Sequence, residues 1–571
     1  MAETQFSPGV ITIENEQPII NNQPIQIGAA IIGPTTKGPV EIPTIVTTYS
    51  EYLTQFGDTF TSGSQVYSYL TSISAYNYFQ NGGTTLLVTR VTSGSFSPAT
   101  SSIISNGLDA TSSSFSLETL SEGVIMNSTS TQNTDGSLVS GSIDNLRYQI
   151  TSPDTSSGTF SLLVRRGNDD IINPIVLETW TDLSLDPISP NYIEKIIGNQ
   201  IESIQQDGDY YVDLTGNYPN QSNYIRVKQV NYPTPNYLDN AGNAKNEYTS
   251  SIPLASSGSF GGAAGSNIPT TAGNYYNNID NLNTQGLQAS DYDQSVALLA
   301  NTDEFKYNYI SVPGLIKGFA SHSSTLSSLV ANCQSRGDTL AIIDLVEYQS
   351  NLIPVTTQAT SVNNSYAAAY WPWVQTLDPF TAQQIWVPAS TMIPGVYAFN
   401  DASAEVWNAP AGTLRGSIAT ATRAERKLTK TNRDDLYKAN VNPITTSPNT
   451  GVTVFGQKTL KKKQSATDRV GVRRLLIELK TQIGNMAENL VFEQNTVATR
   501  NDFLSQVNPY LSSIQQRQGL TDYKVIMDDS NNTSNVIDNN QLVGAIYIQP
   551  TKTAEFITLS FNITPTGATF T

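Results

Sequence analysis

The sequence IGAAIIG at residues 27–33 has the unbroken apolar character of a buried strand. Residues 64–80 follow with apolar side chains at helical spacing, and an Asn-Gly-Gly sequence at 81–83 ends that helix. Residues 86–91, LLVTRV, then return as a second apolar strand. A strand, a helix and a strand in this order predict the start of an α/β domain.

The α/β pattern stops near residue 92 and resumes near residue 291 with a strand, a helix and a strand. The intervening residues are rich in Ser, Thr, Gly and Asn and contain short strand-like runs. We therefore predict a discontinuous α/β domain of residues 28–91 plus 281–440, interrupted by an inserted β-rich domain at 92–280.

The last part of the chain predicts a C-terminal α+β domain at residues 441–554, with two helices followed by strands. Residues 1–27 and 555–571 are predicted to be arms, because each carries an alternating strand near breaker residues and has no local partner. The strand positions of the two arms are Val10, Ile11, Ile13, Ile557, Leu559, Phe561 and Ile563. A frayed terminus is the alternative for residues 1–27. The predicted fold class is thus α/β (α+β), multidomain, with a C-terminal sheet completed by strands from neighbouring subunits.

Composition limits the classes of function. A chain of 571 residues is too long to fold around a single hydrophobic core, so two to four domains are expected. The net charge is −17, yet fifteen of the 31 lysines and arginines lie between residues 415 and 480. One cysteine excludes an intrachain disulfide. With no signal-like start and no long apolar run, we expect a soluble protein made in the cytoplasm, without membrane anchoring.

The basic segment contains an amphipathic stretch, DRVGVRRLLIELK, at residues 468–480. At 100° per residue, Arg469, Arg473 and Lys480 lie about 80° to one side of the apolar stripe. This position predicts docking on an acidic partner surface, and a solvated charged face is the alternative. Nucleic acid is disfavoured because no aromatic residues interleave with the cations and the remaining chain is acidic.

Residues for catalysis are scarce. His322 is the only histidine and Cys333 the only cysteine, so a His/Cys zinc set is excluded by count. His322 is predicted to be a surface or capping residue, and no phosphate-binding loop motif occurs. The aromatic cluster at residues 366–373 is predicted to pack in the core rather than to bind a sugar or base. We predict no enzyme, no catalytic residue, no metal site and no cofactor.

Several short motifs, in their order, resemble the tail sheath proteins of contractile-tailed bacteriophages, which are related to contractile bacteriocin and secretion-system sheaths. The motifs are SPGV (7–10), IIGP (31–34), YFQNGG (78–83), SYAAAYWPW (365–373), VPAS (387–390), PGVYA (394–398), WNAPAG (407–412), GQKTL (456–460), VRRL (472–475), FEQN (492–495) and AEF (554–556). Residues 92–280 carry none of them, which suits a family whose outer domains vary.

The resemblance implies a structural subunit that forms stacked hexameric rings around an inner tail tube. Contraction from a metastable extended state would drive the tube through the host envelope. Expected partners are further copies, the inner tube protein, and baseplate and tail terminator or neck proteins. The expected place is the virion tail, after assembly in the host cytoplasm. The C-terminal domain would contact the tube through Arg469, Arg473 and Lys480. A secreted or surface β-rich adhesin is the alternative function, and a glycosidase-like enzyme ranks third.

Overall fold

This computed structural model describes residues 27–62, 65–107, 112–267, 278–447 and 450–556. Among these residues the largest sheet, here called the main sheet, has eight strands. Their order across the sheet is Thr44–Val46, Leu86–Arg90, Ile27–Gly33, Tyr307–Ile316, Leu340–Asp344, Ala367–Trp371, Asn442–Ser447 and Gly451–Val454. The six inner strands are parallel, and the two edge strands pair antiparallel.

The main sheet is buried on both faces, which explains its unbroken apolar strands. Successive residues of a strand point to opposite faces, so Ala29 and Ile31 enter one core while Ala30 and Ile32 enter the other. Helices Leu70–Gln80 and Ala389–Ser403 cover the first face. Helices Ala320–Arg336 and Leu352–Val362 cover the second. The expected mixed α/β class is confirmed.

The chain between the main-sheet strands Leu86–Arg90 and Tyr307–Ile316 forms separate β-sheets around its own apolar core. Its strands are Pro98–Ile104, Ser113–Glu122, Leu146–Asp154, Thr159–Arg166, Val176–Ser184, Ile201–Asp207, Asp209–Thr215, Ile225–Val230 and Ser256–Ser259. One side chain joins the two ends of this segment. Asn267 Nδ2 donates to Val91 O at 2.8 Å, and Ser93 N donates to Asn267 Oδ1 at 3.2 Å.

The C-terminal part packs two helices against an antiparallel hairpin. The helices are Val470–Glu488 and Val497–Gln516, and the hairpin strands are Leu520–Ile526 and Ala545–Pro550. Leu475 and Leu479 lie in the apolar cluster that these elements share. Val470 and Ile477 of the same helix belong instead to the core of the main sheet. The Val470–Glu488 helix is therefore packed between two apolar layers.

Shorter elements complete the described structure. The remaining helices are Tyr49–Phe56, Ile193–Ile197, Asn246–Thr249, Asp293–Leu298, Gly412–Arg415, Lys430–Lys438 and Ser534–Asp538, with 3₁₀ turns at Val124–Met126, Ala289–Tyr292 and Ala466–Asp468. The remaining strands are Thr59–Ser62 paired with Gln65–Ser68, and Val374–Leu377 between Gln384–Val387 and Ala421–Ala424.

Two sequence-based expectations differ from the structure. The predicted helix at 64–80 is wrong at its start, because Gln65–Ser68 forms a strand and the helix begins only at Leu70. The C-terminal domain was expected to begin at residue 441, but Asn442–Ser447 and Gly451–Val454 are strands of the main sheet. Because Asn442–Ser447 pairs in parallel with Ala367–Trp371, residues 442–447 belong to the main sheet and not to the C-terminal domain.

Candidate functional site

Arg469 precedes the Val470–Glu488 helix and is held by acidic residues of its own chain. Its Nε lies 2.6 Å from Glu555 Oε1, and its Nη2 lies 3.0 Å from Glu555 Oε2. Its Nη1 also lies 3.0 Å from Asp468 Oδ1. A bidentate arginine–carboxylate pair of this kind is both strong and directional. Arg469 therefore has two internal partners.

Arg473 is buried, with 6% of its surface exposed. Its Nη2 donates to Ser365 Oγ at 2.6 Å, and its guanidinium carbon lies 4.0 Å from the centroid of the Tyr366 ring. Lys480 is exposed, and its Nζ donates to Tyr366 Oη at 3.2 Å. The expectation of three accessible cations needs correction, because Arg473 packs within the chain and Lys480 alone of the three is fully exposed. A tube-facing role for this face stays a prediction.

Sequence reasoning gave no role to Arg474, which the structure buries. Its Nη2 donates to Asp401 Oδ1 at 2.7 Å, and its guanidinium carbon lies 4.6 Å from the Tyr397 ring centroid. Arg474 lies opposite the apolar stripe of the helix. The signal that was missed is a second buried face, marked by Val470 and Ile477. A helix with apolar residues on opposite faces is buried on both.

Residues 551–556, here called the C-terminal segment, form neither helix nor strand. Thr551 N donates to Gly519 O at 3.1 Å, which anchors the start of the segment. Gln457 Nε2 donates to Thr553 Oγ1 at 2.9 Å and to Glu555 Oε1 at 3.1 Å. Tyr437 Oη donates to Glu555 Oε2 at 2.5 Å. These contacts make Glu555 the most highly coordinated residue of the segment.

The charge of Glu555 is stabilised by its neighbours. Partial burial disfavours the carboxylate, but the hydrogen bonds from Arg469 and Tyr437 outweigh burial and hold the pKa of Glu555 below its usual range. The next residue, Phe556, is 80% exposed, and its ring meets the Tyr437 ring edge to face at 5.8 Å. An ionised, well-bonded carboxylate is thus followed directly by a large exposed apolar side chain.

Cavities lie on both sides of the C-terminal segment. One has a volume of about 620 Å³ and is lined by Phe455, Phe556 and residues of helix Lys430–Lys438. Its charged lining residues are Arg415, Lys430, Arg433, Asp434, Lys438 and Glu555. The other cavity has a volume of about 500 Å³ and includes Val472 and Lys552. Cations exceed acids at the rim of the larger cavity, so it favours an apolar segment that carries negative charge.

The hairpin of Leu520–Ile526 and Ala545–Pro550 supplies a second binding feature. It is two-stranded among the described residues, so each strand has an edge that no described strand pairs with. Free strand edges bind further strands through backbone hydrogen bonds. The predicted arm positions Val10, Ile11, Ile13, Ile557, Leu559, Phe561 and Ile563 lie outside the described residues.

His322 is buried, which corrects its predicted surface position. Its Nδ1 accepts a hydrogen bond from Ile316 N at 3.1 Å, and burial lowers the pKa of His322 to about 4. Burial also raises the pKa of the Cys333 thiol to about 12. Both side chains therefore serve as packing residues. Tyr370, Trp371 and Trp373 are buried, which confirms core packing for these three rings of the aromatic cluster, while Tyr366 is partly buried against the core that contains Trp371.

The described residues contain no group of three or more His, Cys, Asp or Glu side chains placed to hold a metal ion. Within the same part of the chain, no helix has both the length and the apolar character needed to cross a bilayer.

Comparison with known proteins links the chain to phage tail sheath proteins. Residues 285–460 match the phage tail sheath protein central domain, and residues 462–564 match the phage tail sheath C-terminal domain. The chain thus matches the models of two tail sheath domains, and the resemblance drawn from its motifs is confirmed.

Individual relatives agree with this assignment. The tail sheath protein of Vibrio phage KVP40 is 34% identical over 269 residues, which cover 46% of this chain and 40% of the relative. That of Enterobacteria phage T4 is 34% identical over 232 residues, covering 41% of this chain and 35% of the relative. The chain spans less than half of the length of the curated relatives it matches. These comparisons give no support to the adhesin alternative.

A solved structure shares the fold. The sheath tail protein Lin1278 from Listeria innocua superposes with a TM-score of 0.53 at 10% identity, over 92% of this chain and 95% of that chain. At this identity the likeness concerns the fold alone.

Proposed function

We propose that this chain is a structural, non-catalytic subunit of a contractile tail sheath, assembled in the host cytoplasm and located in the virion tail. Copies form stacked hexameric rings around an inner tail tube, joined at the ends by baseplate and terminator proteins. Contraction from an extended to a shorter state drives the tube through the host envelope. The two sheath domains matched by residues 285–460 and 462–564 support this proposal.

The observation that carries the assembly proposal is the C-terminal segment beside a two-stranded hairpin. Residues 557–571 would leave the subunit here and add a strand to the hairpin of a neighbour. Such β-augmentation gains its affinity from backbone hydrogen bonds. Repeated around a ring, it is a heterologous contact that closes.

The N-terminal arm would bind a neighbour at the larger cavity. Residues 1–26 contain three acids, Glu3, Glu14 and Glu16, and no lysine, arginine or histidine. Residues 557–571 contain no charged side chain. The cationic rim of the cavity, with Arg433 and Lys430, therefore distinguishes the two arms by charge.

The tube would face the side of the subunit that carries Lys462, Lys463 and Lys480, which are all exposed. Lys462 N donates to Asn363 Oδ1 at 3.0 Å. Lys480 contacts Tyr366, which lies three residues after Asn363. This places the cations around one loop. Each contact with an acidic tube surface is worth only about 0.2–1 kcal/mol, but the rings repeat it many times.

The test is negative-stain electron microscopy of the purified full-length protein and of two truncations, lacking residues 1–26 or 557–571. We expect rings or tubes from the full-length protein and soluble, folded monomers from each truncation. A version of each arm with its apolar strand positions changed to Ser is the matched control for simple shortening. Normal tubes from either truncation would refute strand donation by the arm that it lacks, and monodisperse particles from the full-length protein at all concentrations would refute the sheath assignment.

A further inference from the structure

The partners of Glu555 come from three separate parts of the fold. Tyr437 belongs to helix Lys430–Lys438, Gln457 follows the last strand of the main sheet, and Arg469 precedes helix Val470–Glu488. One carboxylate therefore bonds to groups on three elements at once. Its side chain is only one-fifth exposed, although it lies near the end of the described chain.

The C-terminal segment has little else to hold it. Its backbone anchor is the hydrogen bond from Thr551 to Gly519, and Thr553 and Phe556 add one side-chain contact each. Cavities flank the segment on both sides. Loss of the Glu555 contacts would therefore free residues 552–556 to move into open space while the hairpin stays in place.

Arg469 has a second acidic partner, which makes release of Glu555 less costly. Asp468 lies 3.0 Å from Arg469 Nη1 while Glu555 occupies Nε and Nη2. When Glu555 leaves, the guanidinium keeps a neutralising neighbour and is not left as an unpaired buried charge.

We propose that Glu555, bound by Arg469, Tyr437 and Gln457, is a latch that fixes where the C-terminal arm leaves the subunit. This inference rests on the proposed strand donation by residues 557–571 and assigns its positioning residue. With the latch closed, the arm starts from a fixed point beside the Val470–Glu488 helix, so docking on a neighbour costs less conformational entropy. With the latch open, residues 552–556 are free to move, and the register in which the arm pairs with a neighbouring strand is no longer fixed.

The chain offers a built-in reporter of the latch. Lys552 is exposed and lies three residues before Glu555, so cleavage after Lys552 by endoproteinase Lys-C, which cuts after lysine and not after arginine, releases residues 553–571 as a product of defined mass. We expect Glu555→Gln to speed this cleavage by about tenfold or more, because a charge-assisted pair is lost and the released state is populated. Glu493→Gln is the matched control, since Glu493 is an exposed glutamate outside the latch.

A charge swap separates the latch from a general loss of structure. Arg469→Glu alone should accelerate cleavage after Lys552 as Glu555→Gln does, and the double variant Arg469→Glu with Glu555→Arg should restore a rate within about threefold of the original. Tube formation should be slowed in the single variants and recovered in the swap. Circular dichroism checks that each variant is folded.

The outcomes distinguish the latch from the proposed function. A cleavage rate within twofold of the original in Glu555→Gln overturns the latch, whatever the truncations do. Fast cleavage with no rescue by the swap also overturns it, because the pairing is then not responsible. Normal tubes from the protein lacking residues 557–571 overturn strand donation itself, even if the cleavage data reveal an Arg469–Glu555 contact.

Discussion

Arg474 Nη2 donates to Asp401 Oδ1 at 2.7 Å and thereby joins the C-terminal helix Val470–Glu488 to helix Ala389–Ser403 of the main sheet layer. The arginine side chain is 3% exposed and also lies against the ring of Tyr397. The pair is one of several polar contacts between the two regions that the two family domains match. We expect it to hold these regions as one unit.

Asp401→Ala should destabilise the protein by about 1.5–3 kcal/mol, because it removes a charged hydrogen bond and leaves a buried guanidinium unpaired. Urea unfolding followed by circular dichroism measures the free energy. The matched control is Glu405→Ala, which breaks the more exposed pair with Arg517 and should cost less than about 1 kcal/mol. Equal losses in the two variants would contradict the structural role given to Arg474.

His322 should make the protein less stable in acid. Burial lowers its pKa to about 4, whereas in the unfolded chain it takes up a proton near pH 6.5. Between these values the unfolded state binds more protons, so stability is full above pH 6.5 and falls as the pH drops through 4. His322→Gln should remove this part of the pH dependence. Urea unfolding at pH 4.5, 5.5 and 7 gives the measurement, and an unchanged slope would show that His322 does not carry it.

Asp344 should act in the opposite direction. Burial raises its pKa to about 7, and the hydrogen bonds from the Ser390 hydroxyl and amide only partly offset that effect. The folded state binds more protons between pH 3.8 and 7, so this contribution is full below 3.8 and is lost as the pH rises through 7. Asp344→Asn, which is always neutral, should lose stability less steeply from pH 6 to 8. Asp303→Asn, at an exposed carboxylate, should follow the original protein.

Lys480 and Arg473 should respond differently to charge reversal. Lys480→Glu should leave thermal unfolding unchanged but lower the yield of sheath on purified tubes, with weaker salt dependence, because Lys480 is exposed. Arg473→Glu should lower the melting temperature, because a carboxylate would be buried against Tyr366. Lys195→Glu, on the inserted segment, is the control. Normal yield from Lys480→Glu would place the tube contact elsewhere.

Much of the main sheet could be predicted, because parallel strands buried on both faces are continuously apolar. The strand, helix and strand expected after residue 291 are observed as Tyr307–Ile316, Ala320–Arg336 and Leu340–Asp344. Residues 65–68 were misjudged since Val66 fits the helical spacing, while pairing with Thr59–Ser62 makes them a strand. The spacing of apolar residues within a short segment gives no information about which other strand that segment pairs with.

The candidate site was only partly predictable. The basic helix could be found from its cations. Because only one apolar stripe was recognised, the burial of Arg473 and Arg474 was not predicted. Both contact tyrosines more than 70 residues away in sequence, Tyr366 and Tyr397. The role of Glu555 could not be predicted either, because its partners Tyr437, Gln457 and Arg469 converge only in three dimensions.

The hydrogen bonds of Asn267 with Val91 and Ser93 hold the two ends of the inserted segment side by side. A guest domain whose own ends lie close together could therefore replace the residues between Ser93 and Asn267 without stretching the main sheet. The position is therefore a natural graft point for an enzyme or an antigen. If the chain polymerises as proposed, each ring would carry six copies of the guest at regular intervals, and the length of the tube would set how many are displayed.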